Sequence, residues 1–570
     1  MKTAIFYTAL LFTASLQAQD QFRSDTILIR EVLISAKENG RPSAGFRALV
    51  LDSAILSEYN HRTIADLLSE RTSLFVKSYG SGGIATPSFR GTGPGHTRIV
   101  WNEININNPM LGQFDLSLVP AGLADEVEVS YGGGSMDISG GGFGGIINLE
   151  TKPDWKKEDV LFINPGLGSF GRFSGLVKVK TGNQGFQSVT RGFLSNAENN
   201  FPFVNSLTGT EPVIERRKNS QVSQRGFIQE LYFKGSEGIF STRFWYQETS
   251  RNLPVPLTMF SANPGEKQND RSVRSLVSYE SLNKKANFNI AGAFISDKLN
   301  YTNRLVSIDS RNYAHSFIFK TAIMTEIGPT TSLKISLDNE LNFINSNNYT
   351  GKRDRNTASL GISSETSLAQ WLVTRWLIRE TLHDTEFLVP DFSAGAEIKP
   401  FSEKDYFLRA NFSKNSKVPT LNDMYWSPGG NPELKNENGY TAEIGLEAAV
   451  PVSSSINING SVTAFRNFIT DMIQWLPGDN SYWVADNVGK ILTSGIESQI
   501  SFVYSQSRFK ALLNVLYSYT KASPERSVEG YEYPGDRQLI YIPENQFSST
   551  VRINWRSLYT SFITNCISRR

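Results

Sequence analysis

The feature that most constrains this chain is a long stretch of period-two alternation from about residue 155 onward, broken only by polar turns. Phe288, Ile290 and Phe294 stand against Asn287, Asn289 and Ala291, and Leu333, Ile335 and Leu337 against Lys334, Ser336 and Asp338. Ile456, Ile458, Val462 and Ala464 alternate with Asn457, Asn459, Ser461 and Thr463, and Phe509, Ala511, Leu513, Val515, Tyr517 and Tyr519 form a further row. Period two puts the two classes on opposite faces of a strand. A soluble sandwich alternates as well, but it does not need several hundred residues of it. A wall with lipid outside and a wet lumen inside does, and its backbone must be fully paired, so its sheet must close. The expectation is a mainly β chain whose residues 154–570 form a large antiparallel transmembrane β-barrel. At about 10 residues per spanning strand, plus turns and loops, that length accommodates about 18 strands. Phe244-Trp245-Tyr246 reads as part of an interfacial aromatic girdle. Two longer segments, Asn199 to Gln224 and Arg251 to Asp270, read as external loops, where ligand contacts gather. The second carries Asn252-Leu253-Pro254-Val255-Pro256-Leu257, whose prolines keep it out of a sheet interior.

Composition removes several other functions. Net charge is +2 with 20% charged residues, so no polyanion-binding surface and no nucleic-acid partner are implied. No internal run approaches the about 18 apolar residues of a spanning helix, so a bilayer would have to be crossed by strands. Cys566, the single cysteine, can form no internal disulfide and builds no cysteine-rich metal site. His61, His96, His315 and His383 are scattered, without the His-Glu-x-x-His spacing of a zinc enzyme. The glycine cluster Gly140 to Gly145 lacks the Gly-Lys-Ser/Thr of a phosphate loop. No catalytic residue, metal or cofactor is expected, and the chain does not read as an enzyme. Residues 1–18 have the form of a secretory signal: Lys2, an apolar stretch from Ala4 to Leu16, and cleavage after Ala18.

Between the signal and the alternating region the character differs. Ala48 to Tyr79 reads as strand, turn, helix, strand. Ile64, Leu67 and Leu68 fall on one helical face, with Thr63 and Asp66 as a cap. Ser88 to Thr151 is a compact unit of short strands: Ser88-Phe89-Arg90-Gly91, the strand Arg98 to Trp101, a polar turn Asn102 to Pro109, and the strand Val127 to Tyr131. A glycine-dense loop then leads into Ile146 to Lys152.

The Ser-Phe-Arg-Gly run, Ile99-Val100-Trp101-Asn102-Glu103-Ile104-Asn105-Ile106-Asn107-Asn108-Pro109 and Gly144-Gly145-Ile146-Ile147-Asn148-Leu149-Glu150-Thr151-Lys152 resemble the plug domain of TonB-dependent outer-membrane receptors. The stretch Lys417 to Trp426, then Gly430-Asn431-Pro432-Glu433-Leu434 and Glu443-Ile444-Gly445-Leu446-Glu447, is similar to that family's barrel signature. Asp471 to Trp475, Asn487-Val488-Gly489 and Gly495-Ile496-Glu497 continue it. One departure stands out: Tyr131-Gly132-Gly133 occupies the place of an Arg-Gly-Pro turn. The resemblance implies a signal peptide (1–18), a periplasmic lead (19–45), an α+β plug (46–153) inside the lumen, and a barrel of the 22-stranded type (154–570). A barrel of that type implies about 22 strands, and the ending Cys566-Ile567-Ser568-Arg569-Arg570 lacks the family's terminal aromatic. Missing last strands and an unpaired sheet edge are therefore expected.

Functionally the resemblance implies energised uptake of a scarce nutrient across the outer membrane of a Gram-negative bacterium, in contact with its lipid. The arrangement is most similar to cobalamin-type receptors, which makes a corrinoid the first expectation. A ferric siderophore, or a barrel that binds or adheres without transport, are the alternatives. Glu31, Val32, Leu33, Ile34, Ser35 and Ala36 look like a TonB box, an extended β-branched peptide that pairs with the sheet edge of a TonB-type energy-coupling protein. Ligand contact is expected over Tyr79 to Pro94 and Asn105 to Gln113, with Tyr79, Asn105, Asn107, Asn108 and Gln113 as candidates. Arg90, with Gly91, is expected to be structural, a buried arginine paired with a barrel carboxylate.

Overall fold

The computed structural model of the chain describes residues 44–569 apart from 139, 157, 207–211, 255–264, 284–285, 479–481, 525–537 and 540. The expected signal peptide and the segment Glu31 to Ala36 lie outside the described residues. Among the described residues no helix is long and apolar enough to cross a membrane.

The alternating rows are strands of one sheet. Consecutive strands pair antiparallel, from Val160–Gly168 with Arg172–Gly182 round to Asn545–Trp555 with Leu558–Ile567. Connections at one rim are brief, as at 183–185, 235–237, 507–508 and 556–557, while the long ones, such as 198–221, 418–436 and 471–490, lie at the other. The sheet order is that of a closed barrel, with Leu558–Ile567 beside Val160–Gly168. That corrects the expected unpaired edge. Among the described residues the circuit comprises twenty segments. One of these, Glu386–Phe387, is a two-residue piece on the same neighbour as Asp391–Ile398. The circuit thus lies near the expected 18 strands and below the 22-stranded type.

The burial pattern is inverted relative to a soluble protein. Ile378, Ile444, Val462 and Ile500 are roughly half exposed, while Arg375, Thr441, Gln499 and Ser501 are buried. An apolar outer face and a polar inner one is the arrangement a lipid-facing wall demands. Phe509, Leu513 and Tyr517 take the outer face as expected, and Leu512 and Leu516 between them turn inward. The aromatic triplet requires correction. Phe244 faces outward, but Trp245 is buried, edge-on to Trp101 at 5.5 Å with the Arg274 guanidinium 4.4 Å over its ring. Period two required the middle residue to point into the lumen. The first expected loop is also shorter than drawn: a wall strand resumes at Val222, and Gln224 already reaches inward to the Leu118 carbonyl.

Inside the cylinder sits the plug. Its five-stranded sheet runs Ala48–Leu51, Glu126–Tyr131, Gly145–Glu150, Thr97–Trp101, Ile104–Asn105, all antiparallel except Thr97–Trp101 beside Gly145–Glu150. A hairpin, Phe75–Ser78 with Ala85–Ser88, stands beside it. The expected polar turn after Trp101 is only Asn102 and Glu103, both left-handed, after which the chain doubles back. The helix Ile64–Arg71 opens with a reciprocal cap: the Thr63 N–H donates to Asp66 Oδ2 at 2.9 Å and the Asp66 N–H to Thr63 Oγ1 at 3.3 Å. Ile64, Leu67 and Leu68 are buried, and a short helix, Ser53–Ser57, precedes them. The plug core continues into inward-facing wall residues such as Leu176, Phe193 and Ile228.

Candidate functional site

What fixes the plug in the wall is a buried cluster around Arg90. Arg90 and Gly91 both have left-handed backbone, φ 47° and 78°, and this tight turn presses Gly91 against wall residues Ala522 and Thr493. It also drives the Arg90 side chain outward from the plug. Its guanidinium lies 2.6 Å from Glu443 and 3.1 Å from Glu497, all three side chains almost fully buried. Burial opposes the charge, but the two carboxylates outweigh it and raise the Arg90 pKa above that of a free arginine. A second guanidinium, from Arg47, pairs with Glu497 at 2.5 Å. Two cations thus meet two anions, and the cluster is neutral.

Tyr131, standing where the resemblance leads one to expect arginine, fills the space between them. The Arg47 guanidinium lies 4.5 Å from its ring centre and that of Arg90 5.2 Å, with Phe89 edge-on at 5.4 Å. Gly132 follows with φ 53°, and a Cβ there would sit 2.1 Å from Glu443 Oε1. The glycine is what lets the wall carboxylate approach. Arg47 was invisible to motif reading because its partner lies 450 residues away.

Further ties surround this one. Asp125 pairs with Arg191 at 2.5 Å and Lys178 at 2.8 Å. Asp137 pairs with Arg375, and Arg379 donates to the Met136 carbonyl at 2.8 Å. Asp115 pairs with Arg251 at 2.7 Å. At the long-loop rim His96 Nδ1 accepts from the Gly93 N–H at 3.0 Å, so its Nε2–H faces Glu437 at 3.1 Å. Glu437, fully buried, also receives Lys417 Nζ at 2.5 Å and the Ile473 N–H at 2.8 Å. One carboxylate therefore joins a plug loop to two long-loop segments.

The expected ligand residues divide between two plug tips. Tyr79 is 62% exposed on the tip of the hairpin, close to the 198–221 connection through Ser81 and Asn199. The other four lie on the second tip. Asn105 Nδ2 donates to Glu340 in the wall at 3.1 Å. Asn108 Oδ1 accepts from the Met110 N–H at 2.9 Å, and the Gln113 carbonyl accepts from the Asn108 N–H at 3.1 Å. Asn107 lies deeper than the other three: it is 5% exposed, its amide bonded to the Thr97 and Gly112 carbonyls and its oxygen accepting from the Ile99 N–H, so it braces the tip from within. Met110 of this tip packs with Tyr349 and Leu421 of the long-loop rim, contacts that no local pattern signals. Among the described residues no group of three or more His, Cys, Asp or Glu could hold a metal ion.

Comparison with known proteins agrees with this geometry. The model of the family described as TonB dependent receptor-like, beta-barrel, matches residues 173–565, and that of the TonB-dependent Receptor Plug Domain matches residues 44–146. The chain is similar to the Vitamin B12 transporter BtuB of Vibrio vulnificus, 24% identical over 88% of this chain and 79% of the relative. It is also similar to that of Photobacterium profundum, 22% identical over 77% and 70%. Among solved structures, the Serratia marcescens hemophore receptor HasR superposes with a TM-score of 0.72 at 12% identity, covering 91% of each chain. The siderophore receptor PirA of Acinetobacter baumannii gives 0.70 at 14%, covering 94% of this chain and 87% of that one. At such identities these structures speak to the fold alone. A plug held by buried ion pairs inside a lipid-facing barrel, matched by both family models, places this chain in the TonB-dependent receptors.

Proposed function

We propose that this receptor imports cobalamin or another corrinoid across the outer membrane, driven by a TonB-type energy-coupling protein. The observation that carries this is the pairing of a long-range similarity to vitamin B12 transporters with a plug whose first charged anchor, Arg47, stands at the N-terminal end of the plug. Outer-membrane barrels have short periplasmic turns and longer external loops, so the long-loop rim faces outward and takes the ligand. Tyr79, Asn105, Asn108 and Gln113 lie on plug tips at that rim. The lead at 19–45 then faces the periplasm, where Glu31 to Ala36 would add as a strand to the partner's sheet edge.

A pull on that lead reaches Ala44 first, whose N–H donates to Glu365 of the wall at 3.2 Å, then Gly45, whose carbonyl accepts from Asn411 at 2.8 Å, and then Arg47. Loosening Arg47 leaves Arg90 alone to hold both carboxylates. Ligand binding favours the pulled state only by as much as it binds that state better. The test is deletion of residues 31–36 in cells, with labelled cyanocobalamin. Uptake should vanish while surface binding persists, and loss of both would refute the division of labour. Growth with limiting cobalamin, and separately with limiting iron, tests the substrate: rescue only under iron limitation would replace the corrinoid by a ferric siderophore, and rescue under neither would leave a non-transporting barrel.

A further inference from the structure

The plug does not meet the wall in the same way all round. On one flank its core merges with apolar wall residues, and elsewhere buried ion pairs hold it. Between plug residues 69–78 and the wall strands Phe509–Pro524, Asn545–Trp555 and Leu558–Ile567 it has neither, and a cavity of about 240 Å³ separates the two. None of the described residues lining it is charged. Its polar groups include Ser73 and Ser78 of the plug and Ser518, Gln546, Ser548 and Asn565 of the wall. Ser518 is 3% exposed, and its hydroxyl has no hydrogen-bond partner among the described residues. An orphaned buried hydroxyl costs about 1–3 kcal/mol, and beside a roomy, uncharged cavity it points to something that occupies the space in use. Toward the short-turn rim the gap closes. There Arg71 donates to Thr550 at 2.9 Å and pairs with Glu58 at 2.7 Å, and Glu58 pairs with Arg552 at 2.9 Å.

We propose that this cleft is the passage by which substrate leaves the outer face of the plug, and that it takes the uncharged, amide- or hydroxyl-bearing surface of a large solute. The proposal rests on the import reading above. Parting the plug from the wall elsewhere would either expose the shared apolar core or break buried ion pairs, each costly once one partner is left unpaired. Here, apart from the Lys77 ammonium over the Tyr541 ring at 3.7 Å, nothing charged has to separate until the floor is reached. That floor depends on Glu58, which follows the strand Ala48–Leu51 and so lies in the segment an N-terminal pull reaches early. A multiply charged ferric chelate would lose its hydration in such a passage and meet no counter-charge. A corrinoid, ringed by amides, would find hydroxyl and amide partners.

The test uses a bulky methanethiosulfonate reagent on cells. Asn565 lies across from Ser548 on the inward face and lines the cleft, whereas Phe562 of the same strand lies across from Val551, is 70% exposed on the lipid side and does not line it. Asn565→Cys in a Cys566→Ser background therefore carries the label into the cleft, and Phe562→Cys in the same background carries it outside. Ser78→Cys, also with Cys566→Ser, labels the opposite bank from an exposed position. The expected result is loss of cyanocobalamin uptake on labelling either cleft position, recovery with reductant, unchanged surface binding, and no effect of label at Phe562→Cys. Full uptake after complete labelling of both cleft positions would overturn the passage. Uptake of a ferric siderophore in place of cyanocobalamin by the unlabelled chain would overturn the uncharged-substrate assignment. No uptake of either by the unlabelled chain would instead refute the import reading beneath it.

Discussion

Arg90 of the plug and Glu443 of the wall meet at 2.6 Å with their side chains almost wholly shut off from solvent. Glu497 is shared between Arg90 and Arg47, so the four groups are not equivalent. Removing Arg90 leaves Glu443 with no cation in the cluster, while removing Arg47 leaves Arg90 in contact with both carboxylates. Stripping one partner from a buried pair typically costs about 3–5 kcal/mol. Arg90→Ala should therefore loosen the plug by about that much, and Arg47→Ala by distinctly less. Limited proteolysis of the plug in detergent, or ion conductance in planar bilayers, measures this, and equal effects would show that the cluster behaves as a single unit.

Glu437 offers a different kind of test. It accepts from Lys417, the Ile473 N–H and His96, and so ties the plug loop at 92–96 to the long-loop hairpin of Ile473–Pro477 and Trp483–Asn487. Glu437→Gln keeps the shape and one acceptor but leaves the Lys417 ammonium buried without its counter-charge, a change of about 3 kcal/mol or more. Amide hydrogen exchange at residues 473–477 and 483–487 should accelerate, with little change in the strands of the wall. Unchanged exchange there would mean the hairpin is held by its own ladder.

How far these arrangements can be read from sequence follows from their range. The wall strands were legible because lipid on one side and a polar lumen on the other impose period two residue by residue. The same rule would have placed Trp245 inward had it been applied over the aromatic triplet. The plug's strands and the Thr63 cap were legible because their signals are local. Closure of the sheet, the depth of Asn107 and the role of Arg47 were not. Each depends on groups brought together from distant parts of the chain or on a tip folding back over itself, as when Asn107 bonds to both Thr97 and Gly112. Ser-Phe-Arg-Gly pointed to Arg90 as an anchor, but nothing near residue 47 marks the second arginine.

The lipid face gives a prediction of sign and depth. Ile444 is 55% exposed in the middle of Glu437–Ser453, opposite Ala464 on the next strand. Ile444→Arg puts a charge into hydrocarbon, with an expected cost of about 2–4 kcal/mol near the midplane. Ser453→Arg, at the end of the same strand near the short-turn rim, should cost about 1 kcal/mol or less. Refolding into lipid vesicles followed by denaturant titration ranks the two. A reversed order would place the bilayer elsewhere on the barrel.

Asp125 makes the plug–wall contact sensitive to acid. Burial works against its ionisation, but Arg191 and Lys178 more than compensate, and the Lys152 N–H adds to them, holding its carboxyl at about 2. A carboxyl with a folded value below its unfolded one contributes stability in full above the unfolded pKa and loses it as pH falls toward the folded one. The window here runs from about pH 4, where free aspartate titrates, down to about 2, and the contribution is of the order of 2 kcal/mol. The plug should therefore be undisturbed between neutrality and pH 5 as far as Asp125 is concerned, and should become easier to release below pH 4. Asp125→Asn removes the titrating group, leaves Arg191 with Glu230 as its remaining carboxylate, and should lower plug stability at neutral pH while flattening its dependence between those limits. Proteolytic release of the plug measured across pH 2 to 7 for both forms decides it: parallel curves for wild type and variant would assign the acid sensitivity to other carboxylates.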